Sequence, residues 1–123
     1  MDSVEEMREF LIECIKKHVP PLRINKDKSD VFEVSGTKHA MQGKQLVDGY
    51  YFGSVVPKPK DVRLYFFPIY THPSAFDLIS KDLRKCLKGK SCFHFKSISP
   101  EMKTEIESMI EQGIKVYSEE NLV

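Results

Sequence analysis

The chain has 123 residues, 41% of them apolar and 30% charged, with a formal net charge of +1. That length suits one domain, residues 1–123, able to bury a core without staples, and the composition excludes a low-complexity or disordered chain. Three cysteines, none in a Cys-x-x-Cys pair, make an odd count that argues against a disulfide framework.

Free thiols in a reducing cytoplasm are the expectation. The N-terminal stretch has acids where a signal peptide needs bases and an apolar run. No apolar run approaches the ~20 residues of a membrane-spanning helix, so no membrane partner is expected. The charge is unevenly spread. Residues 1–19 carry five acids and three bases, and residues 101–123 carry six acids and two bases, while residues 20–100 carry fourteen bases and seven acids. Acidic ends around a basic middle give a dipolar surface and point weakly to an anionic ligand near the middle.

The first element is a helix. Ser3 with Glu6 has the capping-box spacing, and Val4, Met7, Leu11, Cys14 and Ile15 recur at helical intervals as its buried stripe. Pro20-Pro21 ends it. Glu5, Glu9 and Glu13 stand one turn apart on another face. Such a ridge can hold a hard cation through oxygen ligands, although a solvated face is the commoner meaning.

Leu22–Asn25 and Asp30–Ser35 read as extended segments, with Lys26-Asp27-Lys28 as a polar turn between them. The second alternates Val31 and Glu33 against Phe32 and Val34. Residues 36–44, bracketed by Gly36 and Gly43, read as a link in which Lys38 and His39 could approach an anion. The spacing does not fit a phosphate loop, because Gln45 follows Lys44.

Gly49–His72 holds the densest set of aromatic rings. Tyr50–Val56 and Val62–Ile69 are rich in β-branched and aromatic residues and predict a hairpin, joined by Pro57-Lys58-Pro59-Lys60-Asp61. Period two sets Tyr50, Phe52, Ser54 and Val56 against Tyr51, Gly53 and Val55. On the partner strand it sets Val62, Leu64 and Phe66 against Arg63, Tyr65 and Phe67. One face should meet helices. The tyrosines Tyr51, Tyr65 and Tyr70 are then candidates to line an open, concave face, or they are sheet surface or core filler.

Ser74 with Asp77 predicts a short helix over Ala75–Ile79, and Ser80 a second one carrying Leu83 and Leu87, with Gly89 as its C-terminal stop. Ser91–Lys96 alternates Cys92, His94 and Lys96 against Phe93 and Phe95, a last strand. Ser99-Pro100-Glu101 starts a final helix, with Met102, Ile106, Met109, Ile110 and Tyr117 as its stripe. Strands in the middle and helices at the ends predict an α+β fold: an antiparallel sheet of about five strands with the N- and C-terminal helices packed on one face.

Motifs for chemistry are sparse. His18, His39, His72 and His94 form no cluster with ligand spacing. Cys92 and His94 share a strand face, but no orienting group or oxyanion site accompanies them. No Gly-x-Ser-x-Gly or dinucleotide fingerprint occurs. The basic run Lys81, Arg84, Lys85, Lys88, Lys90 and Lys96, interleaved with Phe93 and Phe95, has a nucleic-acid patch's composition. Near-neutral overall charge and inward-pointing phenylalanines speak against nucleic acid as a partner.

Gly49–His72, taken with the run from Leu87 to Lys96, resembles the YdhG-like family of small bacterial proteins of unknown function. The likeness lies in Tyr-Tyr-Phe, in Leu-Tyr-Phe-Phe-Pro, in His72-Pro73 and in Leu-x-Gly-Lys before an aromatic strand, and extends from about Val31 to Tyr117. It implies a helix–sheet–helix α+β sandwich and a cytoplasmic protein. Part of that family is described as frataxin-like intracellular iron chaperones, which implies iron held by first-helix carboxylates, here Asp2, Glu5, Glu6, Glu9 and Glu13. Lys38–His39 resembles the place where members carry a basic residue before a strand.

These readings converge on a non-enzymatic binding module that takes a small anionic ligand or a protein partner on its open sheet face. Its candidate contacts are Lys38, Tyr51, Tyr65, Tyr70, His72 and Lys90, with no cofactor. The alternative is a frataxin-like iron-binding chaperone using Glu5, Glu9 and Glu13. An exposed aromatic face would equally serve a homodimer.

Overall fold

The computed structural model describes residues 1–123. Helix α1 spans Val4–Lys16. The Ser3 hydroxyl caps it, accepting from the Glu6 amide at 3.3 Å, and Met7, Leu11, Ile12, Cys14 and Ile15 are buried. Six strands build one antiparallel sheet: β1 (Arg23–Lys28), β2 (Val31–Ser35), β5 (Tyr51–Pro57), β6 (Val62–Phe66), β7 (Leu87–Lys88) and β8 (Cys92–Phe95). Their order across the sheet is β1-β2-β5-β6-β8-β7. Strands β3 (His39–Gln42) and β4 (Gln45–Asp48) form a separate two-stranded hairpin. After β6 come the short helix α2 (Pro68–Thr71), a 3-10 turn (Pro73–Phe76) and helix α3 (Lys81–Cys86). Helix α4 (Pro100–Glu119) closes the chain, with Ser99 as its cap and Pro100 at its first position.

The fold is therefore α+β, with the terminal helices on one face of an antiparallel sheet. Phe32, Val55, Leu64 and Phe93 lie opposite one another across four strands, and each is at most 1% exposed. Residues opposite in a ladder share a face, so this row defines the core side. Helix α1 packs across β5 and β6, and α4 packs against α1 and α2. The two helices bring Met7, Leu11, Ile106, Ile110 and Tyr117 down onto the row.

Several boundaries differ from the sequence expectation, each for a local reason. Lys26-Asp27-Lys28 is strand rather than turn, because the polar edge strand β1 runs on to Lys28 and the reversal falls at Ser29–Asp30. The predicted link over residues 36–44 holds β3 and the reversal at Gly43-Lys44 that leads into β4. The second hairpin strand ends at Phe66, three residues short of Ile69. Pro68 cannot extend a ladder, but its fixed φ suits the first position of a helix, and it starts α2. Pro73 likewise opens a 3-10 turn in place of the helix predicted over Ala75–Ile79. Leu87 leaves α3 and enters β7, so Gly89, with φ +85°, turns a strand pair rather than ending a helix.

One irregularity sets which side chains face out. Ser35 pairs with Tyr51 and Val34 with Gly53, so β5 carries one extra residue, Phe52, at this point. A bulge puts neighbouring side chains on the same side and breaks the period-two rule. Phe52, 1% exposed, thereby joins Gly53 and Val55 on the core side, and Tyr51 joins Ser54 and Val56 on the other. The grouping of Phe52 with Ser54, and of Tyr51 with Val55, is corrected accordingly.

Candidate functional site

The sheet face opposite α1 and α4 carries two cross-strand rows. One runs Glu33, Ser54, Tyr65, Cys92, and the other Val56, Arg63, His94. Apart from buried Ser54, these side chains are half-buried. Ser54 needs a polar partner at that depth and finds it in the Tyr51 hydroxyl at 2.6 Å. Burial pushes the Tyr51 phenol up to about 12, with the Ser54 bond pulling the other way. Burial also raises Tyr65 and Cys92, which stand opposite each other.

At one end of this face the rings gather around Phe67. Its centroid lies 5.4 Å from Tyr51, 5.5 Å from Tyr70 and 5.9 Å from Tyr50. The Lys90 ammonium sits 5.6 Å from the Tyr70 ring centre, within cation–π range. Behind them Tyr117 donates its hydroxyl to the Tyr51 carbonyl at 2.7 Å, and the His72 ring lies 6.0 Å from Tyr117. Of the six predicted ligand contacts, Tyr51, Tyr65, Tyr70, His72 and Lys90 are thus linked through direct neighbours. Lys38 is exposed at the mouth of the β3–β4 hairpin, where its carbonyl accepts from Gly49. None of the six lines a cavity. The tyrosine end of the face is a surface, not a concavity.

His72 takes part in a second arrangement. Its Nε2 lies 2.6 Å from a Glu120 carboxylate oxygen and its Nδ1 2.7 Å from the Thr71 hydroxyl. With Nε2–H donating to Glu120, Nδ1 accepts from Thr71, which is the connectivity of a nucleophile, a base and an orienting acid. Catalysis would further require a concave approach and amides free to stabilise an oxyanion. The adjacent His72 amide is already spent on the Pro68 carbonyl, and no cavity opens here. The chain of bonds instead ties the end of α4 to α2.

The first-helix carboxylates do not converge. Glu5 pairs with Arg8 at 3.3 Å, while Glu6, Glu9 and Glu13 border a shallow open groove with Met1 and Phe10. No three His, Cys, Asp or Glu side chains come together in a way that could hold a metal ion.

The largest cavity, of about 560 Å³, opens at the β8 edge of the sheet. Strand β7 has two residues and pairs only with Cys92 and Phe93, so β8 runs on past it. Into the space left there project Lys85 from α3, Lys88 from β7, His94 from β8, and Lys96 just beyond it. Cys86 and Met102 supply apolar lining, and Asp61 and Ser97 complete the border. None of the three lysines is paired with a carboxylate. The one acid is committed elsewhere, because Asp61 Oδ1 lies 3.3 Å from Arg63 Nε. Uncompensated positive charge is therefore focused on one concave spot.

Sequence reasoning passed over this groove as a site. The basic run from Lys81 to Lys96 was its only signal, and the groove draws just three lysines from that run. Phe93 and Phe95 stack on each other in the core, 6.0 Å apart, and offer no platform for bases. A smaller apolar cavity of about 350 Å³ lies between α4 and residues 75–79. Its one charged member, Glu105, is already held by the Ser80 amide and hydroxyl. No helix is long and apolar enough to cross a membrane. No protein-family model, no curated protein and no solved structure matches the chain.

Proposed function

We propose that the protein is a non-enzymatic binding module that takes a small anionic ligand in the groove at the β8 edge of its sheet, where the His94 side of the open face meets α3 and the start of α4. The observation that carries this is the groove. Three lysines without carboxylate partners and one histidine border its largest concavity, and the only acid there is neutralised by Arg63. The tyrosine end supports the reading as a scaffold. It fixes the sheet's outer face through Tyr51, Ser54 and Tyr117 but provides no hollow for a small molecule.

Calorimetric titration with inorganic pyrophosphate at low ionic strength tests it. The unmodified protein should give a saturable heat. The variant carrying Lys85→Gln, Lys88→Gln and Lys96→Gln should give none while keeping its far-ultraviolet circular dichroism. A silent unmodified protein, or a triple variant that binds as well, refutes the proposal.

A further inference from the structure

We infer that the anion is a phosphate monoester with a small apolar body, the phosphate among the three lysines and the body over Met102 and Cys86. This rests on the reading of the groove as the ligand site and narrows it to a chemical class.

Three features of the groove select that class. The first is the kind of cation. Apart from His94, the unpaired bases at its border are all lysines and none is an arginine; lysines are compact ammoniums that each donate to oxygens without a fixed plane. The guanidinium nearby, Arg63, does not line the groove and donates its Nε–H to Asp61, so no planar fork of the kind that favours a carboxylate borders the hollow. The second is the amount of charge. A carboxylate brings one negative charge to three ammoniums. A phosphate monoester brings about −1.5 to −2 near neutral pH, with three acceptor oxygens to share among them. The third is the shape. The hollow of about 560 Å³ has the size of an organic-ligand pocket and exceeds what a bare phosphate fills. Its two apolar residues come from different elements, Cys86 at the end of α3 and Met102 in the first turn of α4. They face a ligand that has an apolar part.

The charged and apolar halves can be tested separately with phenyl phosphate, inorganic phosphate and benzenesulfonate, each titrated by calorimetry. Benzenesulfonate keeps the ring but carries a single charge. Phenyl phosphate should bind about tenfold more tightly than benzenesulfonate and several-fold more tightly than inorganic phosphate. Met102→Gln should weaken phenyl phosphate several-fold and leave inorganic phosphate unchanged, and the unchanged phosphate affinity also reports that the variant is folded. Lys88→Gln should weaken both phosphates. Equal affinity for phenyl phosphate and benzenesulfonate, or a Met102→Gln variant that binds phenyl phosphate normally, overturns the inference while leaving an anion site in place. Absence of binding by all three probes, together with silence toward pyrophosphate, removes the site itself.

Discussion

Replacing Gly113 with alanine should destabilise the protein, although alanine is the better helix former. Gly113 lies within α4, where that exchange normally gains about 1 kcal/mol. A methyl group there would stand 2.7 Å from Phe66 Cζ, 3.0 Å from Cε1 and 3.1 Å from Pro68 Cγ. Neither neighbour yields readily. Phe66 is 1% exposed and held edge-on by Phe52 at 5.6 Å and by Phe76 at 5.3 Å, while Pro68 begins α2. Overpacking of this kind costs about 1–3 kcal/mol, so the net loss should be about 1 kcal/mol after the helix gain is subtracted. Urea unfolding followed by circular dichroism measures it, as a lower midpoint at unchanged slope. Phe66→Leu supplies the control. With the ring gone, the same Gly113→Ala change should become neutral or stabilising. A raised midpoint for Gly113→Ala with Phe66 intact would show that the ring moves freely and refute the reasoning.

Two further outcomes follow from the tyrosines. Tyr117→Phe removes the hydroxyl that donates to the Tyr51 carbonyl and should cost about 1–2 kcal/mol in the same urea assay, whereas no loss would mean that water replaces the bond. The Tyr51 phenol is pushed up to about 12, and burial raises Tyr117 further. A raised folded-state value stabilises the fold fully below the ordinary phenol value near 10 and is lost as the pH climbs through the folded values. Stability should therefore fall above pH 10, and absorbance at 295 nm should show Tyr51 and Tyr117 ionising only together with loss of structure. Tyr51 and Tyr117 titrating near pH 10 with native circular dichroism would contradict this.

The helices were legible because their signals are local. The Ser3 and Ser99 caps and the apolar stripes lie within a turn or two of the residues they organise, and α1 and α4 follow them closely. The faces of the central hairpin were not, since a bulge at Phe52 depends on how β5 registers with β2, which no alternation within β5 encodes. The hairpin His39–Asp48 escaped for another reason. Met41 and Leu46, opposite each other, are 56% and 63% exposed, so its strands lack the half-buried pattern by which strands are recognised. The basic groove was least legible. Its border collects residues from Asp61 to Met102 out of four elements and two connecting segments, and only the shortness of β7 leaves room for it.

The bulge at Phe52 also makes the molecule easy to observe. By turning Phe52 inward and Tyr51 outward, it lets a line of rings pass from Phe76 through Phe66, Phe52, Tyr117 and Tyr50 to Phe67, with neighbouring centroids 5.3–5.9 Å apart. The chain has no tryptophan, and four of its five tyrosines (Tyr50, Tyr51, Tyr70 and Tyr117) lie on or beside this line. Near-ultraviolet circular dichroism and intrinsic tyrosine emission will therefore report chiefly on one place, the seam between the end of the last helix and the first residues of β5. A spectroscopist can follow that seam without introducing a label.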